Sequence, residues 1–66
     1  MPMINLKITQ GESTVAQKAQ VIEEMTEVLQ RVMGKNPETT IVIIDEVETD
    51  NWGIGGKTVT QRRSQT

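Results

Sequence analysis

The chain has 66 residues, 7 Lys and Arg against 9 Asp and Glu, no histidine, no cysteine and a formal net charge of −2. Disulfides are thereby excluded, a zinc site lacks its usual ligands, and a nucleic-acid-binding surface is not expected. A chain this short buries only about 60% of its unfolded surface, so a lone core is marginal and partner subunits are the expected source of the missing burial.

Residues 1–9 read as a β-strand. Ile4, Leu6 and Ile8 alternate with Met3, Asn5, Lys7 and Thr9, which sends the two sets to opposite faces. Pro2 is compatible with this, because proline is tolerated where a strand begins. An initiator methionine ahead of a proline is commonly removed. Removal leaves Pro2 with a free secondary amine in a chain that has no histidine or cysteine to act as a base near neutral pH. No basic and apolar leader precedes the strand, and no apolar run approaches a membrane span, so a cytoplasmic protein with no membrane partner is expected.

Residues 10–13 contain Gly11 and read as a loop. Thr14 and Gln17 have capping-box spacing. Val15, Ala19, Ile22, Met25, Leu29 and Val32 or Met33 then recur at helical spacing, with Val21 and Val28 widening the stripe. A stripe this wide suits a helix covered by a sheet on one side and another subunit on a second. Gly34 is placed to end the helix, with Pro37 just beyond.

Ile41-Val42-Ile43-Ile44 is apolar on both faces, the pattern of a strand in a parallel sheet. Strand, long helix and strand make a β-α-β unit. The acidic residues Asp45, Glu46, Glu48 and Asp50 lack calcium-loop spacing and read as a solvated loop leaving the sheet. Asn51-Trp52-Gly53-Ile54-Gly55-Gly56 is a glycine-rich turn region. The stretch Lys57-Thr58-Val59-Thr60 is expected as a short strand, and residues 61–66 as a frayed polar tail. Gly56-Lys57-Thr58 is not a phosphate-binding loop: the required upstream glycine is Asn51, and too little chain follows for the helix.

Pro2 has two readings. It can simply start a strand. It can also serve as a base, provided its amine is largely neutral near pH 7. A free α-amino group titrates near about 8, and a secondary amine is more basic still. Burial among apolar groups lowers such a pKa by up to about 3–5 pH units. Trp52, a residue costly to expose, is a candidate wall for such a pocket or a plug for a subunit interface.

Taken together, Met1-Pro2 opening a first strand, one long helix, the Ile41-Val42-Ile43-Ile44-Asp45-Glu46 strand and Asn51-Trp52-Gly53-Ile54-Gly55-Gly56 resemble the 4-oxalocrotonate tautomerase family over nearly the whole chain. The resemblance implies an α+β fold: a β-α-β unit with a C-terminal β-hairpin, residues 1–66 forming one domain. It implies a homohexamer, a trimer of dimers. It also implies an isomerase without a cofactor or metal, acting on a small-molecule carboxylate, as in the degradation of aromatic compounds. Pro2 matches the family's catalytic proline, which moves a proton between carbons of an unsaturated 2-oxo or 2-hydroxy acid. Trp52 matches the active-site aromatic that helps depress the proline pKa.

Two positions depart from the family. Glu12 follows Gly11 where an arginine binds a substrate carboxylate, and Ile41 stands where a second arginine polarises the substrate. An acid at position 12 would repel a dicarboxylate such as 2-hydroxymuconate, the family's usual substrate. Arg62 and Arg63 are candidate replacements, though nothing in the sequence orients them. The rival readings are a hydratase or dehalogenase on the same fold, and an inactive assembly module.

Overall fold

In the computed structural model of the chain, residues 1–64 are described. Strand β1 (Met3–Thr9) and strand β2 (Ile41–Val47) form a parallel pair, in register from Met3 opposite Ile41 to Thr9 opposite Val47. The ladder runs one residue past each end. Ile41 N–H donates to the Pro2 carbonyl at 3.0 Å, and Gln10 N–H donates to the Val47 carbonyl at 2.9 Å. Parallel strands need a crossover, and helix α1 (Val15–Met33) supplies it.

The ends of α1 follow from the sequence. Gln17 N–H donates to Thr14 Oγ1 at 3.0 Å, and Thr14 N–H donates to Gln17 Oε1 at 2.9 Å, closing the expected capping box. Gly34 takes a left-handed φ of 67°, and its N–H donates to the Gln30 carbonyl at 3.0 Å. A short 3-10 turn, Pro37–Thr39, leads into β2.

Strand β2 is longer than its apolar run. Asp45, Glu46 and Val47 belong to it and do not form a loop. They stay in the sheet because partners lie across it. On the face away from α1, Asp45 Oδ2 accepts from Lys7 Nζ at 2.9 Å and from Asn5 Nδ2 at 3.1 Å. On the helix side, Glu46 Oε2 accepts from Lys18 Nζ at 3.1 Å.

The chain then turns through a second 3-10 segment, Thr49–Asn51, into a hairpin. Strand β3 (Gly53–Ile54) pairs antiparallel with β4 (Lys57–Thr58). Between them Gly55 and Gly56 both have positive φ, 64° and 85°, as a two-residue hairpin turn of mirror-image hand requires. The strand expected to reach Thr60 stops at Thr58. Helix α2 (Val59–Ser64) follows, in place of the expected tail. The last two residues of that expectation lie outside the described residues.

No residue among those described is buried. The helix stripe is split by this. Val21 and Leu29 are half-buried, whereas Val15, Val32 and Met33 are 81%, 66% and 61% exposed. Two strands cover only a narrow seam of a helix, so the rest of the stripe faces outward. The other face of the sheet is also open: Met3, Ile41 and Ile43 are exposed there. The radius of gyration is 15.3 Å, against about 11 Å for a compact chain of this length.

Candidate active site

Pro2 sits immediately before β1, half-buried, with its carbonyl held by Ile41. Met1 is 88% exposed and projects from this end. Ile41 is therefore the backbone neighbour that fixes Pro2. A strand of seven residues spans about 20 Å. The loop after β1 and the segment after β2 thus fall at the opposite end of the pair from Pro2.

That opposite end collects the other candidates. Trp52 is half-buried at the entrance to the hairpin, and its carbonyl accepts from Val59 N–H at 2.7 Å. This bond extends the β3–β4 ladder by one pair and ties Trp52 to the start of α2. Helix α2 has its own cap. Gln61 N–H donates to Thr58 Oγ1 at 3.0 Å, and Thr58 N–H donates to Gln61 Oε1 at 2.9 Å. Thr60 Oγ1 donates to Asp50 Oδ1 at 2.6 Å and lies 2.6 Å from Thr49 Oγ1. The helix is thereby braced on the segment that precedes the hairpin. The signal for α2 was present in the sequence. Thr58-Val59-Thr60-Gln61 repeats the threonine-to-glutamine spacing of Thr14-Val15-Ala16-Gln17.

The two arginines of α2 have different surroundings. Arg63 Nη2 donates to Glu12 Oε1 at 2.7 Å, forming an ion pair with the loop after β1. Arg62 Nη1 lies 3.5 Å from the Ile54 carbonyl, at the outer limit of a hydrogen bond. The acid expected to repel anions at position 12 therefore carries a cation beside it. Arg63 and Glu12 meet because the hairpin turns the chain back and the capped helix points its last turn at the loop. Spacing along the chain gives no hint of this.

Glu12 also rims a cavity of about 410 Å³ between β1 and the first half of α1. Leu6, Ile8, Ile44 and Val21 line it with carbon; Ser13, Gln17 and Lys18 add polar atoms. Asp45 lies on the other sheet face. Its hydrogen bonds from Lys7 and Asn5, and the Lys7 charge, hold its carboxyl below the ordinary value of 3.8. Among the described residues no cluster of three or more histidine, cysteine or acidic side chains is arranged to hold a metal, and no helix is long and apolar enough to cross a membrane.

Within one chain, then, Trp52, Arg62, Arg63 and Glu12 are gathered at one end, and Pro2 stands at the other. A family described as tautomerase enzyme matches residues 2–62. Probable tautomerase K2 of Dickeya dadantii is 58% identical over 65 residues, which is 98% of this chain and 97% of that protein. The crystal structure of DmpI from Helicobacter pylori is 39% identical, with a TM-score of 0.84, covering 98% of this chain and 100% of that one. A structure from a study of the 4-oxalocrotonate tautomerase isozymes of Methylibium petroleiphilum gives a TM-score of 0.90 at 25% identity, with 98% and 100% coverage. The fold is thus shared with these structures, and this chain belongs to the tautomerase enzyme family, with a function of the tautomerase, isomerase type.

Proposed function

We propose that the chain is a tautomerase whose base is the Pro2 amine, freed by removal of Met1, acting on an unsaturated 2-oxo or 2-hydroxy acid. One observation carries this reading. Pro2 is fixed by its own carbonyl at the start of the parallel ladder, so its nitrogen becomes a chain-terminal amine on a rigid element. The family match also begins at residue 2. While Met1 is attached, that nitrogen is an amide and has no basic lone pair.

The reaction is a two-step proton transfer. The neutral Pro2 nitrogen takes a proton from the substrate enol or carbon, giving prolinium and a dienolate. Prolinium then returns a proton to a different carbon. Such general acid–base work contributes roughly 10²–10⁴-fold. The developing oxyanion needs a donor, since an unpaired charge in a dry pocket is costly. Arg62 and Arg63 are the candidates, at the end of the chain that also presents Trp52 as the apolar wall.

Pro2 and that end come together only between copies. Two strands and a helix with no buried residue are too little for a stable monomer. The radius of gyration of 15.3 Å fits a chain that reaches onto a neighbour. We therefore read the working form as a homo-oligomer, a hexamer built as a trimer of dimers, in which Pro2 of one copy faces Trp52 and α2 of another.

The test is keto–enol turnover by Pro2→Ala, with Met1 removal verified by intact mass. Loss of at least about a hundredfold in kcat/KM is expected. Unchanged turnover overturns the amine mechanism.

A further inference from the structure

In one chain Pro2 and the loop after β1 stand at opposite ends of the strand pair, and the free edge of β1 offers a way to join them. The β1–β2 sheet has only these two strands, so each keeps one unpaired edge. Backbone groups alternate sides along a strand. The Pro2 carbonyl and the Gln10 N–H both bond to β2, so the even-numbered residues of β1 turn their backbone groups inward. Those of Met3, Asn5, Lys7 and Thr9 point out along the free edge, a template for another strand. The covering of the sheet tells its two edges apart. Helix α1 rests mainly against β2, and the cavity of about 410 Å³ opens over Leu6 and Ile8 of β1. A partner at the β2 edge would leave that cavity open.

We infer that a second copy of the chain pairs antiparallel with the free edge of β1, with Leu6 on the two-fold axis, and that each copy thereby brings its loop after β1 to the other's Pro2. This rests on the Pro2 reading above. Side chains must keep to their faces, so odd-numbered residues oppose odd ones and even oppose even. An axis at Lys7 would set two ammonium groups directly opposite each other, which is destabilising. An axis at Asn5 would set Thr9 against Met1, which processing removes. An axis at Leu6 pairs all seven residues of β1: Met3 with Thr9, Asn5 with Lys7, Ile4 with Ile8, and Leu6 with itself. The outward backbone groups of the odd residues then meet, and Ile4, Leu6 and Ile8 of both copies make one apolar floor. The two α1 helices lie antiparallel over a four-stranded sheet and share the cavity between them. In this register Pro2 falls opposite Gln10 of the other copy. Glu12 follows two residues later, with that copy's Arg63 at 2.7 Å. The length of about 20 Å that parts Pro2 from this loop in one chain is thus crossed by the symmetry.

The experiment is disulfide trapping in the processed full chain, which has no cysteine of its own. Leu6→Cys, Asn5→Cys and Lys7→Cys are each oxidised alone, and the last two are also oxidised after mixing and subunit exchange. Residues opposed in an antiparallel pair lie about 4.5–5.5 Å apart at Cα, within disulfide reach. Leu6→Cys is expected to convert to a covalent dimer. Asn5→Cys and Lys7→Cys are expected to remain unlinked alone and to link to each other when mixed, which keeps the test decisive if Leu6→Cys does not fold. Self-linking of Asn5→Cys or Lys7→Cys, or a mixture that does not link, overturns the inference. Asn5→Pro removes an outward N–H and leaves the β1–β2 ladder intact. Sedimentation velocity is expected to show its assembly lose mass while Asn5→Ala retains it; an unchanged mass for Asn5→Pro overturns the pairing. Pro2→Ala separates the two levels. If it retains turnover while the mixture links, the Pro2 reading alone fails; if it abolishes turnover while the mixture does not link, the pairing alone fails.

Discussion

Arg63 Nη2 and Glu12 Oε1 are joined at 2.7 Å across 51 positions of chain. The pair closes the C-terminal helix onto the loop after β1, and both side chains are more than half exposed. It orients a cation more than it stabilises the fold. Exposed pairs contribute at most about 1 kcal/mol, and screening lowers that further. Glu12→Ala is therefore expected to leave the melting temperature within a few degrees of wild type. Amide hydrogen exchange in α2 is expected to quicken by up to about fivefold. Unchanged α2 exchange would show that the caps alone hold the helix.

Gly55→Ala and Gly56→Ala each force a side chain into left-handed backbone, at φ 64° and 85°. The expected cost is about 1–2 kcal/mol each. Space is not the cause: nothing lies within 4 Å of a Cβ at Gly56, and at Gly55 the nearest atom is Arg62 Nη1 at 3.5 Å. Denaturant titration measures the loss. D-alanine introduced at either position by chemical synthesis should restore stability, because it favours positive φ.

Asp45 should make stability depend on pH in one direction. Lys7 and Asn5 hold its folded pKa below the ordinary 3.8. A depressed carboxylate contributes stability that is fully present above its unfolded pKa and is lost as pH falls through the folded one. Asp45→Asn is therefore less stable than wild type at pH 7, and the difference narrows below the ordinary carboxylate range. Urea midpoints at the two pH values check the sign. A gap that widens in acid would mean that Lys7 is not the dominant partner.

Trp52 is the only tryptophan, so its fluorescence reports on one place. It is half-buried within a single chain. Should the proposed assembly cover it, dilution below the dissociation range shifts its emission to the red. Sedimentation velocity over the same concentrations should show the mass fall in step. A red shift without loss of mass would assign the change to the hairpin within one chain.

The pH–rate profile of the processed enzyme should show activity rising as the Pro2 amine loses its proton. NMR titration of that amine is expected to give the same pKa, depressed below that of a model proline. A model-like value would leave the fold without its proposed base and favour an inactive assembly module.

The sequence by itself determined the β-α-β unit, because alternation in β1, the apolar run of β2 and the Thr14 and Gly34 caps are local signals. It determined the hairpin turn as well, since adjacent glycines are the cheapest residues at positive φ. It singled out Pro2 as a candidate by placing proline directly behind Met1 at the start of a strand. Only the tertiary structure decided that Asp45 and Glu46 stay in the sheet. Their partners Lys7, Asn5 and Lys18 lie 28 to 40 positions away, and no local rule links them. Helix α2 was legible in the second threonine–glutamine cap, but a β-branched Thr58-Val59-Thr60 run competed with it. The meeting of Arg63 with Glu12 was not legible at all. It depends on the angle at which a two-glycine hairpin returns the chain, and a sequence lists charges without saying which of them share a corner of space.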